Sequence, residues 1–127
     1  MPVRSYRDLN VFKVAFQASI EIASLAQSWP ADERFKLTDQ IIRSSRAVCS
    51  NLAEAWKKRP YVKHFEAKLT DAEMEASETG LWLEYAREHN YLHATTYDAL
   101  TRQYAHIEAM LTKMRRNART WCGQPKK

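Results

Sequence analysis

The chain has 127 residues, with only two glycines, four prolines and two cysteines, and a formal net charge of +5 at pH 7. A single domain of this length buries about two-thirds of its unfolded surface without staples, and so few glycines and prolines exclude the many tight turns of an all-β fold. No run approaches the roughly 18 to 20 apolar residues that cross a bilayer, and the opening MPVRSYRD lacks the apolar segment of a signal peptide, so a cytoplasmic protein without membrane contact is expected.

The first helix is predicted over about residues 8–28, with Ser5-x-x-Asp8 as a capping box and Pro30 as its limit. Leu9, Phe12, Phe16, Ser19/Ile20 and Ala23 form its expected core stripe. Val11, Val14, Ala18, Ile22 and Leu25 widen the apolar arc beyond the needs of a bundle interior, so either this helix is the most buried of the monomer or its second flank, with Val14 and Leu25, is a candidate subunit contact. Residues 29–36, WPADERFK, read as the connection to a second helix.

That second helix is predicted over 37–58. At 100° per residue, Leu37, Ile41, Ser45, Val48, Cys49, Leu52, Ala55 and Trp56 share one arc, and Arg43, Arg46, Ser50, Glu54 and Lys57 share the opposite one. Its core arc is rich in small residues, which lets a neighbouring helix approach closely. Arg59-Pro60 then breaks the helix.

A third helix is predicted over 61–89. Val62, Phe65, Leu69, Ala72, Ala76, Thr79, Leu83 and Ala86 alternate spacings of three and four without interruption, and Met74, Leu81 and Tyr85 stand on the opposite face as a second apolar stripe suited to an oligomer contact. After the interruption HNYLHA, the Thr95 to Asp98 segment offers a cap to a fourth helix over 95–121. Its stripe is Tyr97, Leu100, Tyr104, Ile107, Leu111, Met114, Ala118 and Trp121, after which Gly123 and Pro125 end the fold and 122–127 form a disordered tail. Four helices with short connections predict one all-α domain, an antiparallel up-down-up-down four-helix bundle with left-handed packing.

Charge is segregated along this plan. The net charge is zero over 1–35 and +3 over 36–58; it is −3 over 59–94 and +5 over 95–127. Arg43, Arg46, Lys57 and Lys58 on the second helix, with Arg102, Lys113, Arg116 and Arg119 on the fourth, are the candidate contacts to nucleic-acid phosphates. The same asymmetry suits attraction between opposite patches of identical subunits.

Chemistry of other kinds is not supported. No GxGxxG, P-loop, GxSxG or HExxH motif occurs, and the Glu-x-x-His pairs of a di-metal bundle are missing. His89 and His93 straddle a predicted helix break, and Cys49 and Cys122 lie in no ligand spacing and read as reduced thiols. No catalytic residue, metal or cofactor is therefore expected, and the protein is not expected to be an enzyme.

Leu37, Gln40, Ile41, Arg43, Val48, Asn51, Leu52, Ala53 and Glu54 follow L-x-x-Q-I-x-R-x4-I-x-x-N-I-A-E-G, with Val48 and Leu52 as conservative replacements and Ala55 for the last glycine. Asp8-Leu9-x-Val11-Phe12, Pro30-x-x-Glu33-x-Phe35-x-Leu37, Glu78-x4-Leu83-x-x-Ala86 and Tyr91-Leu92 extend the pattern over nearly the whole chain. The sequence resembles the four-helix bundle family named after proteins encoded in intervening sequences of 23S ribosomal RNA genes. That resemblance implies homopentameric barrels, and likeness to basic accessory proteins of diversity-generating retroelements, which bind RNA and a reverse transcriptase. The family's Gly-Ser pair in helix three is replaced here by Met74-Glu75, and its loop glycine by Asn90. Gln40, Arg43, Asn51 and Glu54 belong to the family motif, and Asn51 and Glu54 are expected to hydrogen-bond at a helix or subunit contact. The expected function is a non-enzymatic homo-oligomer with a basic surface for RNA or DNA, structured RNA first; the alternative is a protein interaction scaffold with no nucleic-acid role.

Overall fold

Apolar residues repeating every three or four positions are buried together only if each helix keeps one face inward along its length. Four stretches do so in the computed structural model, which describes residues 2–123: α1 (Asn10–Ala26), α2 (Asp39–Lys57), α3 (Val62–Glu88) and α4 (Ala94–Arg116), followed by the single turn α5 (Ala118–Trp121). No strand occurs among the described residues. α1 and α3 each pack against both α2 and α4, so the chain folds as a four-helix all-α bundle with α1 and α3 on one diagonal. No helix is long and apolar enough to cross a membrane, among the described residues.

The predicted stripes of α3 and α4 form the core, except that Val62, Tyr97 and Trp121 at their ends are half-buried and pack against it. Phe65, Leu69, Ala72, Ala76, Thr79, Leu83 and Ala86 are buried, as are Leu100, Tyr104, Ile107, Leu111, Met114 and Ala118. Each large apolar side chain among them contributes about 1.5 to 3 kcal/mol relative to exposure. On α2 the arc is also as expected, except that Cys49 is half-buried and Ser44 is fully buried.

α1 is turned differently from the expectation. Val11, Ala15, Ala18, Ser19, Ile22 and Ala26 face the core, whereas Phe16 is 46% and Ile20 54% exposed. The physical reason is helix approach: α1 meets α2 and α4 through alanine and serine, and a core stripe of Phe12 and Phe16 would hold the helices apart. Phe12 instead packs its ring 5.7 Å from Phe16 and 4.9 Å from Tyr6. Val14 and Leu25 are half-buried against the core, and the exposed large apolar residues of α1 are Phe16 and Ile20.

Several boundaries also move. The Ser5–Asp8 capping box is present, but it closes a 3-10 turn (Tyr6–Asp8), and extended Leu9 (φ −69°, ψ 131°) delays α1 to Asn10. The segment read as a connection before α2 is itself helical, a 3-10 turn (Ala31–Glu33) followed by one π turn (Arg34–Thr38). α4 starts at Ala94 with His93 as N-cap and no side-chain cap, so the Thr95 to Asp98 segment lies inside the helix. Asn90 takes φ 63° where the family has glycine, a left-handed value that asparagine tolerates, and Tyr91 N then donates to Ala86 O at 2.8 Å to close α3. Cys122 packs against the core and Gly123 turns at φ 70°; positions 124–127 of the expected tail lie outside the described residues.

Candidate nucleic-acid interface

Short connections bring the end of α2, the start of α3 and the end of α4 to one pole of the bundle. Trp56 and Trp121 meet edge to face there, with ring centroids 6.1 Å apart. Arg59 lies over the Trp56 ring, its guanidinium carbon 3.6 Å from the centroid, and Tyr61 N donates to Lys58 O at 2.8 Å. The turn is thus held by stacking and by its own backbone.

A shallow groove opens on this pole, lined by Tyr61, Lys63, His64, Arg116 and Arg119 among others, with Glu66 the one carboxylate in its wall. Lys57 and Lys58 are exposed at the end of α2, on the turn that leads to Tyr61, and Lys113 is exposed one turn before Arg116 on α4. Tyr61 is 62% exposed, and its ring meets His64 edge-on at 5.7 Å. It is also the N-cap of α3, where no side chain caps the helix and no acidic residue occupies the first turn. The first amides and the positive end of the helix dipole therefore add to the cations of the groove.

Arg115 stands next to this cluster but is neutralised. Its Nε donates to Glu73 at 2.6 Å, and Thr112 donates to the same carboxylate at 2.6 Å. Burial raises the Glu73 carboxyl, yet the hydrogen bonds from Arg115 and Thr112 and the Arg115 charge outweigh it and hold the group below the usual carboxylate range.

The predicted basic residues accordingly divide. Lys57, Lys58, Lys113, Arg116 and Arg119 gather at the pole. Arg102 is exposed in the half of α4 nearer the other end, and Arg46 borders the α1–α2 groove. Arg43 is 52% exposed and pairs within the chain, at 2.6 Å from Glu78 and 3.4 Å from Glu75 on α3. Sequence reasoning missed Arg59, Tyr61 and Lys63. The signal for them was a bulky aromatic after Pro60, outside the α3 stripe and surrounded by lysine and arginine.

Two apolar surfaces lie away from the pole. Met74 (66% exposed), Leu81 and Tyr85 form a ridge on α3. Across the bundle, Phe12, Phe16, Ile20, Cys49 and Ala53 line a groove between α1 and α2. Burial pushes the Cys49 thiol up to about 11, so at neutral pH it is protonated and unreactive. Of the motif residues, Gln40 is half-buried and Asn51 donates to Ala47 O at 2.9 Å within its own helix; Glu54 reaches α3 through Lys68 at 3.4 Å.

The family profile of the 23S rRNA-intervening sequence protein matches residues 7–113. The chain belongs to that family. The match runs from the 3-10 turn to the last turns of α4, so this family member carries the family pattern through all four bundle helices. A solved structure of a protein of unknown function from the S23 ribosomal protein family of Bacteroides thetaiotaomicron VPI-5482 is 24% identical, covers 84% of this chain and 95% of its own, and superposes with a TM-score of 0.75. That likeness shows the fold. No curated protein matches the chain.

Proposed function

We propose that this chain is a non-enzymatic homo-oligomer, a pentamer as the family resemblance implies, that presents its basic pole to the phosphate backbone of structured RNA. The observation that carries the reading is the gathering of Lys63, Arg116 and Arg119 in one groove against Glu66 alone, with Lys57 and Lys58 exposed on the turn that leads into it. Such a surface contacts backbone and shape rather than base sequence. The α3 ridge and the α1–α2 groove supply the assembly: two different faces joining head to tail close into a ring, in which one rotation relates every basic pole to the next.

The test is binding of a fluorescein-labelled RNA hairpin between 50 and 200 mM salt. Contact with about six phosphates predicts a loss of about 10³ in affinity over that range, and Arg116→Glu/Arg119→Glu weakens binding throughout. No binding at 50 mM salt rejects the reading. The exposed α3 ridge favours a second one, a protein interaction scaffold, which is what remains if the hairpin does not bind and the oligomer persists.

A further inference from the structure

The pole carries a side chain that phosphate binding leaves unexplained. Tyr61 is a large aromatic that is mostly exposed, although the adjoining Val62 packs against the core. Its backbone is fixed from both sides, because Tyr61 N donates to Lys58 O at 2.8 Å and Tyr61 O accepts from Phe65 N at 2.9 Å. The ring therefore stands on an ordered turn, among the cations of the groove formed with Lys63, Arg116 and Arg119. An exposed aromatic face inside a cationic groove is the arrangement by which proteins hold unpaired nucleotides: the base stacks and the flanking phosphates are neutralised. A duplex offers the phosphates but keeps its base faces covered.

We infer that this pole binds an unpaired nucleotide, with the base stacked on Tyr61 and its flanking phosphates held by Lys63, Arg116 and Arg119. The inference rests on the reading of the pole as a nucleic-acid surface and names its substrate class: single-stranded segments, such as loops and bulges, in preference to blunt duplex. Phe35 is the internal control. It is 75% exposed with Arg34 5.3 Å from its ring, but it stands on the α1–α2 connection, at the other end of the bundle.

The experiment is fluorescence anisotropy on the full chain at 50 mM salt, with fluorescein-labelled A12 RNA and a blunt 12-base-pair RNA duplex as probes. Tyr61→Ala is expected to weaken A12 binding about tenfold, within the worth of one base–aromatic stack, while duplex binding stays the same. Tyr61→Trp retains A12 binding, Phe35→Ala changes neither probe, and Arg116→Glu/Arg119→Glu weakens both. Thermal melting checks that each variant folds. If Tyr61→Ala leaves A12 affinity unchanged while the charge reversal still weakens both probes, the stacking assignment is overturned and the phosphate reading stands. If Phe35→Ala costs as much as Tyr61→Ala, the assignment to this pole is overturned. If neither probe binds, both readings fall.

Discussion

Arg59 both stacks on Trp56, with its guanidinium carbon 3.6 Å from the ring centroid, and donates its Nε to the Trp56 carbonyl at 2.9 Å. One side chain thus satisfies a carbonyl at the end of α2, places a cation at the negative end of that helix and covers the tryptophan that meets Trp121. The turn presenting Lys58 and Tyr61 depends on it.

Removing that side chain has a predictable cost. Arg59→Ala is expected to lower stability by about 1 kcal/mol, the value of a partly exposed cation–π contact with its helix-end bond. Arg59→Lys restores the charge without the planar stack and recovers only part of the loss. Urea unfolding followed by tryptophan fluorescence measures both; equal stability of arginine and lysine at this position would show that the stack contributes nothing.

The ion pair between α3 and α4 gives a pH signature. Glu73 has its folded pKa lowered, so its contribution is fully present above the ordinary carboxyl value of about 4.5 and is lost as pH falls through the lower folded value. Glu73→Gln should cost about 1 kcal/mol at pH 7, the modest size reflecting solvent screening at a partly exposed pair. The gap between wild type and variant, read from urea unfolding, should close as pH is taken below 4. A gap constant down to pH 2 would contradict the pairing.

Ser44 and Thr79 join α2 to α3 inside the core, their hydroxyl oxygens 2.8 Å apart and both side chains fully buried. Each hydroxyl also has a backbone acceptor on its own helix, Glu75 O at 2.9 Å from Thr79 Oγ1 and Ile41 O at 3.3 Å from Ser44 Oγ, so one hydroxyl donates to the other while the second donates to its carbonyl. Thr79→Val keeps the shape and removes one of the two hydroxyls, and is expected to cost about 1 kcal/mol. Ser44→Ala added to it should cost less than the sum of the two single changes, because no buried hydroxyl is left over. Strict additivity in the double-mutant cycle would mean the two hydroxyls do not interact.

A head-to-tail assembly makes a sharper prediction than loss of size. Met74→Glu/Leu81→Glu on the ridge and Phe16→Glu/Ile20→Glu in the groove should each give smaller particles by light scattering. Mixing the two variants should restore a heterodimer, since one intact groove then meets one intact ridge. An isologous interface would give no such species, and a monomeric wild type would end the proposal of an oligomer.

The stripes of α3 and α4 could be read directly because alternating spacings of three and four leave one way to turn each helix inward. α1 could not be read that way. Its apolar residues cover most of its circumference, so only the close approach of α2 and α4 selected the Ala15, Ala18 and Ile22 face over that of Phe12 and Phe16. The Asn90 position was visible as a departure from the family pattern, but its left-handed backbone was not.

The sequence by itself determined the class of fold, most of the core and the excess of basic charge, because each follows from local spacing and composition, and its motif residues carried the likeness to the family. Only the tertiary structure decided which cations act together. Arg43 was claimed by Glu75 and Glu78, more than thirty residues away on the adjacent helix, and Arg115 by Glu73. Lys57, Lys58, Tyr61, Arg116 and Arg119 were brought to one pole by the reversal of direction between consecutive helices. Charge and aromatic character belong to single residues, whereas the field and the surface they make together depend on distances that the fold alone sets.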